Sequence, residues 1–263
     1  MRVWRIEVEY EGTRYAGWQS QPHARTVQGE LSKVAEQVLS ARVEVGGSGR
    51  TDAGVHALRQ VAHLKANPKG RAPDPAQLKA GLNKLLPHDI NVLRVANAQP
   101  DFHARHDAVA RYYVYQIAQR RTAFGKPFVW WVRDRLDVRS MSAACGLVVG
   151  RHDFSSFCES PSEQRSTLVE VGRAELKAEG GLVLFRIGAS HFLWKMVRRI
   201  VGALVEVGRG SVSAEEFGGM LERYSNAPAA WTAPPSGLFL ERVLYEGEAP
   251  PGPPRAPFPL SAE

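Results

Sequence analysis

The 263-residue sequence predicts an α+β protein made of two halves of comparable size. Stretches in which apolar and polar residues alternate, as in half-buried strands, are interspersed with stretches of helical periodicity. This rhythm occurs twice along the chain. With 44% hydrophobic and 23% charged residues, the sequence also has enough apolar material for a folded core.

In the first half, alternating residues predict a strand from Trp4 to Tyr10. Thr26 is a suitable N-cap for a helix whose apolar positions recur from Val27 to Leu39. The remaining predicted elements are a strand at 43–45, a glycine-rich loop at 46–54, a strand at 61–65, a short helix at 78–85 and a strand at 90–95.

The second half begins with an aromatic strand at 111–118. Gly180 and Gly181 predict a tight turn between two strands at 167–178 and 181–187. The other predicted elements are a helix at 141–149, a long amphipathic helix from about 192 to 207, a shorter helix at 214–224 and a final strand at 237–245.

The two halves join near residues 104–110, which predicts an N-terminal domain over 1–104 and a C-terminal domain over 105–247. From Glu248 onward, six of sixteen residues are proline. Residues 248–263 are therefore predicted to be an irregular tail.

The chain is basic, with 34 Lys+Arg against 27 Asp+Glu and a net charge of +7. This surplus favours a polyanionic partner such as nucleic acid. Two cysteines are too few for a disulfide framework or a four-sulfur zinc site. The first residues lack a signal-peptide core, and the apolar runs are far shorter than a membrane span. We therefore expect a cytoplasmic protein with no membrane segment.

The most informative segment is 46–56, the glycine-rich loop with the two residues after it, which carries Arg50, Thr51, Asp52 and His56. It is not a P-loop, because no Gly-Lys-Ser/Thr follows it. Glycines allow tight turns that bring the backbone close to a ligand. From the residues alone, Asp52 either caps its own backbone or acts on a ligand.

A second segment places His103 and His106 near Asp101 and Asp107. The spacing matches no standard metal signature, so no metal site is predicted. A metal-dependent nuclease at this cluster stays an alternative hypothesis.

In the strand that follows, Tyr113 and Tyr115 fall on one face and Tyr112 on the other. Aromatic residues beside arginines can stack on nucleobases, although ordinary strand packing explains them equally well.

The long helix contains a second stripe apart from its apolar face, formed by Lys195, Arg198, Arg199 and Gly202. Basic residues beside a helix glycine can meet a carboxylate or RNA phosphates at close range. A solvated charged face is the other interpretation.

Seven segments, in the same order along residues 3–245, resemble the A type of tRNA pseudouridine synthases. They are Tyr10–Gln19, Gly49–Ala57, Asp101–Arg105, Arg111–Tyr115, Gly150–Phe157, Met196–Gly202 and Pro235–Leu240. The resemblance implies isomerisation of uridine to pseudouridine at positions 38, 39 and 40 of the tRNA anticodon stem-loop, without a cofactor. It also implies two ferredoxin-like, RRM-like halves with adjoining, mainly antiparallel sheets, helices on the outer face and a basic active-site cleft between the halves.

On the matching positions, the resemblance makes Asp52 the nucleophile and has Arg198 pair with it across the cleft. Arg50 would help to extrude and hold the target nucleotide, and Tyr113 would stack against the uracil. A one-residue shift in the alignment would give the stacking role to Tyr112 instead. Basic residues in or next to the matching segments are candidates for RNA contact: Arg14, Lys195 and Arg199.

The family forms homodimers, so the resemblance also implies a homodimer with tRNA lying across both subunits. The carboxylate of Asp52 could add to C1′ of the sugar or to C6 of the uracil, or remove the C2′ proton on a glycal route. A catalytically silent RNA-binding protein that uses the same basic cleft is the alternative hypothesis from another functional class.

Overall fold

The computed structural model describes residues 1–260. It divides the chain into two compact units. Unit 1 contains Met1–Val109 and Leu240–Ala249, and unit 2 contains Ala110–Phe239 and the residues from Pro250 onward. The end of the chain therefore contributes to both units. The last three residues of the predicted tail lie outside the described residues.

Unit 1 contains four strands and two helices before its boundary. They are β1 (Arg2–Tyr10), α1 (Val27–Leu39), β2 (Val43–Gly47), β3 (His56–Ala66), α2 (Pro75–Leu85) and β4 (Ile90–Asn97). β1 pairs in antiparallel fashion with both β3 and β4, and β2 pairs with β3 in the same sense. Helix α1 packs on β2 and on α2, and α2 packs on β4.

Local chemistry explains where both helices of unit 1 begin. The side chain of Thr26 accepts a hydrogen bond from the Gly29 amide, which confirms the predicted N-cap. Asp74 caps α2 in the same way, and the Gln77 side chain completes a capping box. These caps satisfy amide groups that have no acceptor within the helix.

Unit 2 has more elements, several of them short. They are β5 (Ala110–Ala118), β6 (Trp130–Trp131), α3 (Val138–Gly146), β7 (Gly150–Asp153), β8 (Leu168–Glu179), β9 (Leu182–Ala189), α4 (Met196–Arg209), α5 (Ala214–Glu222) and α6 (Ala227–Ala230). The last strand, β10 (Leu238–Leu244), begins in unit 2 and continues into unit 1, where it lies beside β3. Within unit 2 the strand order is β5-β9-β8-β7, with antiparallel pairing throughout, and β6 runs parallel to the end of β5. The prediction of an α+β chain with mainly antiparallel strands is confirmed in each unit.

The long helix begins one turn later than predicted. The sequence predicted a start at about residue 192, but α4 begins at Met196. Lys195 has φ +60°, in the left-handed region, and cannot continue a right-handed helix. Residues 192–194 therefore form a separate non-helical segment. The short elements β6, β7 and α6 were not predicted.

Residues 248–260 contain no helix or strand, and those from Pro250 onward belong to unit 2. Leu260 lies in a buried apolar cluster with Ala118 of β5, Leu182 and Leu184 of β9, and Val129. The amide of Phe258 donates to the Gln116 side chain at 3.2 Å. No helix within residues 1–260 has the length and apolarity that a membrane span requires.

Candidate active site

The loop that carries Asp52 is fixed where it leaves β2. The Ser48 amide donates to the Val61 carbonyl at 2.8 Å, and the Ser48 hydroxyl donates to Oε1 of Gln60 at 2.8 Å. The Gln60 side chain in turn donates to the Gly49 carbonyl at 3.0 Å. Ser48 and Gln60 are both buried, so these bonds have little competition from water.

Residues 10–19, which run from the last residue of β1 onward, hold the tip of the loop. The Tyr10 hydroxyl lies 2.8 Å from Oγ1 of Thr51, and the Trp18 amide donates to the Thr51 carbonyl at 3.0 Å. The Gly54 amide donates to the Tyr15 carbonyl at 3.3 Å. Burial raises the pKa of Tyr10 well above its usual range, so this phenol is neutral at physiological pH. The residues on each side of Asp52 are therefore anchored to the same segment.

Two glycines make this close approach of backbones feasible. A Cβ atom on Gly12 would lie 2.0 Å from the Val55 carbonyl oxygen. A Cβ atom on Gly17 would lie 2.6 Å from the Thr51 carbonyl oxygen, and Gly17 also has φ +98°. The Gly12 amide donates to Nδ1 of the buried His56 at 2.9 Å. Glycine is thus required at both positions.

A cluster around Tyr15 connects residues 10–19 to the start of α1. The Tyr15 hydroxyl donates to Asp89 in a short hydrogen bond, and the Arg25 guanidinium lies 4.5 Å from the centre of the Tyr15 ring. Arg25 also forms an ion pair with Glu30 at 2.8 Å. Burial and the neighbouring Asp89 raise the pKa of Tyr15 above its usual range.

In the sequence, the 10–19 segment is marked only by its resemblance to the family, which predicts no structural role for these residues. The available signal was the pair of glycines after a strand, which indicates a close backbone contact.

Within unit 1, the structure brings the Asp52 loop together with the segment that carries Arg14. Asp52 is half-buried, and its carbonyl accepts a hydrogen bond from the Val55 amide at 3.2 Å. Arg50 and Arg14 are both exposed. This arrangement presents one carboxylate on an immobilised turn, near exposed cations in the same two segments.

In unit 2, Tyr113 lies on β5 and is largely buried. Its ring meets Phe192 edge to face, with a centroid distance of 5.0 Å. Tyr112 instead packs over Gly188, where a Cβ atom would lie 2.3 Å from the Tyr112 ring. Tyr112 and Tyr113 are equally buried, and a substrate contact by Tyr113 stays a prediction.

Arg198 lies in the first turn of α4 and is half-buried. Its Nε donates to the Ala233 carbonyl at 2.7 Å, and the Ala233 amide donates to the Arg198 carbonyl at 3.1 Å. One turn later, a Cβ atom on Gly202 would lie 1.7 Å from the Trp231 carbonyl oxygen. Gly202 therefore lets the 231–233 segment pack on α4, and it is not a gap through which RNA approaches the helix.

Lys195 and Arg199 share one carboxylate. Lys195 Nζ lies 3.2 Å from Glu159, and the guanidinium of Arg199 pairs with the same side chain. Arg199 also donates to the Cys158 carbonyl at 2.6 Å and is buried. The two cations lower the pKa of Glu159, Lys195 having the larger effect. RNA contact by either residue stays a prediction, and Lys195 is the more accessible of the two.

The two histidines of the second sequence segment, His103 and His106, contact each other, and His103 also contacts His63. Ring centroids lie 4.6 Å apart for His63 and His103, and 4.2 Å apart for His103 and His106. Nδ1 of His63 accepts the Ala104 amide at 3.1 Å, and Nδ1 of His103 accepts two backbone amides. Within residues 1–260, no group of three or more His, Cys, Asp or Glu side chains is arranged to hold a metal ion.

Comparison with known proteins identifies a family. A family model described as tRNA pseudouridine synthase matches residues 6–107 and 144–246. The tRNA pseudouridine synthase A of Methylococcus capsulatus is 40% identical over 245 residues, which cover 92% of this chain and 89% of that protein. That of Geobacillus kaustophilus is 41% identical over 244 residues, which cover 92% of this chain and 93% of that protein. That of Citrifermentans bemidjiense is 39% identical over 251 residues, with 94% and 98% covered.

Proposed function

Because the chain belongs to the tRNA pseudouridine synthase family, we propose that it isomerises uridine to pseudouridine at positions 38, 39 and 40 of the anticodon stem-loop of tRNAs. The observation that carries this proposal is the immobilised loop around Asp52. Hydrogen bonds hold Thr51 and Gly54 on either side of this carboxylate. A reacting group that is fixed in advance lowers the entropic part of the activation barrier.

The reaction exchanges one glycosidic bond for another. The N1–C1′ bond of uridine breaks, the uracil turns, and a C5–C1′ bond forms. C5 releases its proton and N1 takes one up, so atoms and electrons balance without an oxidant or reductant. The uracil cannot be reached inside a stacked stem, and base flipping is therefore part of the mechanism.

Asp52 is the nucleophile in this proposal. Its carboxylate adds to C1′ or to C6, or it removes the C2′ proton on a glycal route. Arg198 pairs with Asp52, which keeps the carboxylate ionised and oriented. Arg50 holds the extruded nucleotide, and Tyr113 stacks on the uracil.

The proposal also covers the assembly. The two units are ferredoxin-like halves with a basic cleft between them, in a cytoplasmic homodimer that binds tRNA across both subunits. The net charge of +7 supports a polyanionic partner. Membership of the family supports the ferredoxin-like fold of the halves, the basic cleft and the homodimer.

The test is tritium release from tRNA labelled at uracil C5, because C5 loses its hydrogen in this reaction. We expect release by the wild type, none by Asp52→Ala, and wild-type release by Asp101→Ala, which removes an exposed carboxylate elsewhere in unit 1. Affinity for tRNA should stay within a few-fold in both variants, since phosphate contacts dominate affinity.

Two results would count against the proposal. Turnover by Asp52→Ala in a clean preparation would remove Asp52 as the nucleophile. Binding of tRNA without release by the wild type would indicate a silent RNA-binding protein.

A further inference from the structure

The segment before α4 holds one tryptophan in contact with solvent. The Trp194 side chain is 49% exposed, whereas Leu193 and Met196 are buried. The Trp194 carbonyl accepts the Glu159 amide at 3.0 Å, and the next residue, Lys195, has φ +60°. A left-handed lysine is disfavoured and persists only where its surroundings impose it. The indole is therefore exposed by a specific backbone conformation.

Positive charge lies directly beside this indole. Lys195 Nζ is 5.4 Å from the centre of the Trp194 ring. The Glu159 carboxylate faces two cations, Lys195 and Arg199, so these three charged groups carry a net positive charge. An exposed aromatic ring next to a cation suits a nucleotide, whose base stacks while its phosphate meets the cation.

The same segment contacts a residue with a role in the proposed function. Phe192, two residues before Trp194, packs edge to face on Tyr113 at 5.0 Å. The sequence neighbours of Trp194 add no exposed apolar surface, since Leu193 and Met196 are buried and Lys195 is charged. A protein partner would need a larger apolar patch than one indole.

We propose that Trp194 is a stacking platform for an unstacked base of the RNA substrate, with Lys195 on an adjacent phosphate. The identity of this ligand as RNA rests on the proposed function. The platform is separate from the stacking of Tyr113 on the target uracil. It contributes RNA affinity and does not take part in the bond changes.

The test compares three variants of the full chain in binding an anticodon stem-loop RNA, measured by fluorescence anisotropy at fixed salt. Trp194→Ala should weaken binding about tenfold, because a stacked base contributes on the order of one such factor in affinity. Trp194→Phe should stay within about twofold of wild type, because a smaller ring still stacks. If Trp194→Ala unfolds, a loss of affinity well beyond twofold in a folded Trp194→Phe would overturn the proposal.

Trp131 provides the matched control. Its side chain is 42% exposed, and the Arg121 guanidinium lies 5.9 Å from its ring, so it is also an exposed tryptophan beside a cation. Trp131 pairs with Ala118 in the strand ladder, five residues from Tyr113, or about 17 Å along β5. Trp131→Ala should bind RNA as the wild type does.

Salt dependence separates stacking from charge. Trp194→Ala should keep the wild-type slope of log affinity against log salt, whereas Lys195→Gln should reduce that slope by about one. Equal affinity for Trp194→Ala and Trp131→Ala would overturn the proposal. Loss of affinity by Trp194→Ala that accompanies loss of self-association in sedimentation would also overturn it, since Trp194 would then join two copies of the chain.

These results stay separate from the test of the proposed function. Tritium release by the wild type tests the isomerase, whereas the affinity of Trp194→Ala tests the platform. A wild type that binds RNA through Trp194 but releases no tritium would refute the isomerase alone.

Discussion

The hydroxyl of Tyr10 lies 2.8 Å from Oγ1 of Thr51, the residue that precedes Asp52. This bond joins the end of β1 to the loop that carries the proposed nucleophile. Both residues are buried, so if one hydroxyl is removed, water cannot readily take its place as the partner of the other.

Tyr10→Phe should therefore loosen the Asp52 loop without removing any group that reacts. We expect the free energy of unfolding to fall by about 1 kcal/mol. The turnover number should fall several-fold, because the carboxylate is held less firmly. Denaturant unfolding and tritium-release kinetics measure the two effects. Tyr224→Phe, which removes an exposed hydroxyl, is the control and should change neither quantity. A wild-type turnover number for Tyr10→Phe would show that this bond does not position the loop.

Two helical glycines should respond oppositely to alanine. On Gly202 a Cβ atom would lie 1.7 Å from the Trp231 carbonyl oxygen, whereas Gly219 in α5 has no such neighbour within 4 Å. Gly202→Ala should destabilise the protein by about 3 kcal/mol, because backbone must move. Gly219→Ala should be neutral or stabilise it by up to about 1 kcal/mol, because alanine favours helix. Thermal unfolding measures both.

Gly202→Ala should also lower turnover, since the displaced segment includes Ala233. The Ala233 carbonyl accepts a hydrogen bond from Nε of Arg198, and the Ala233 amide donates to the Arg198 carbonyl. Equal unfolding temperatures for the two alanine variants would contradict the packing described for Gly202.

The sequence alone predicted those features that depend on nearby residues. Alternation predicted β1, and the side chain of Thr26 correctly predicted the start of α1. The glycine-rich loop was found because its residues are consecutive. The predicted start of α4 was wrong because helical periodicity continues through residues 192–195. The left-handed φ of Lys195 leaves no trace in that pattern.

Contacts between distant segments were beyond the sequence. In the sequence, Gly202 looked like part of a basic stripe. The group that it packs against, the Trp231 carbonyl, lies 29 positions away. It leaves no mark in the sequence, because every residue has a carbonyl. The prolines after Glu248 predicted irregular structure, but they gave no sign that Leu260 packs in an apolar cluster. Backbone acceptors have no sequence signature.

The contacting histidines of unit 1, His63 and His103, should make stability depend on pH. Burial is the main cause that lowers the pKa of His63 below its usual value of 6.5, and the neighbouring His103 and Lys65 lower it further, against the opposing effect of Glu44. Burial likewise lowers the pKa of His103, with His106 and Lys65 acting in the same direction and Asp107 opposing them.

A lowered pKa means that the unfolded chain binds the proton more tightly than the folded chain. The free energy of unfolding should therefore fall as pH drops below about 6.5, with a slope of up to about 1.4 kcal/mol per pH unit from His63. Denaturant unfolding between pH 5.5 and 8, a range chosen around that ordinary histidine value, measures this slope. His63→Gln should flatten it, and His23→Gln, which removes an exposed histidine, serves as the control. An unchanged slope in His63→Gln would rule out this source.

The chain end should stabilise unit 2 through Arg186. This buried side chain on β9 donates to the carbonyls of Pro251 and Gly252 and forms an ion pair with Glu175 at 3.1 Å. Ending the chain after Ala249 removes both carbonyls and the Leu260 contact, and should lower the free energy of unfolding by about 3 kcal/mol. Arg186→Leu should then have a smaller effect on stability in the shortened chain than in the full chain. In the full chain it discards satisfied hydrogen bonds and should destabilise. In the shortened chain both carbonyl acceptors are already absent, so the substitution should cost about 1 kcal/mol less than in the full chain. Denaturant unfolding of the four proteins measures this coupling, and equal effects of Arg186→Leu in both backgrounds would show that the tail does not stabilise the fold through this arginine.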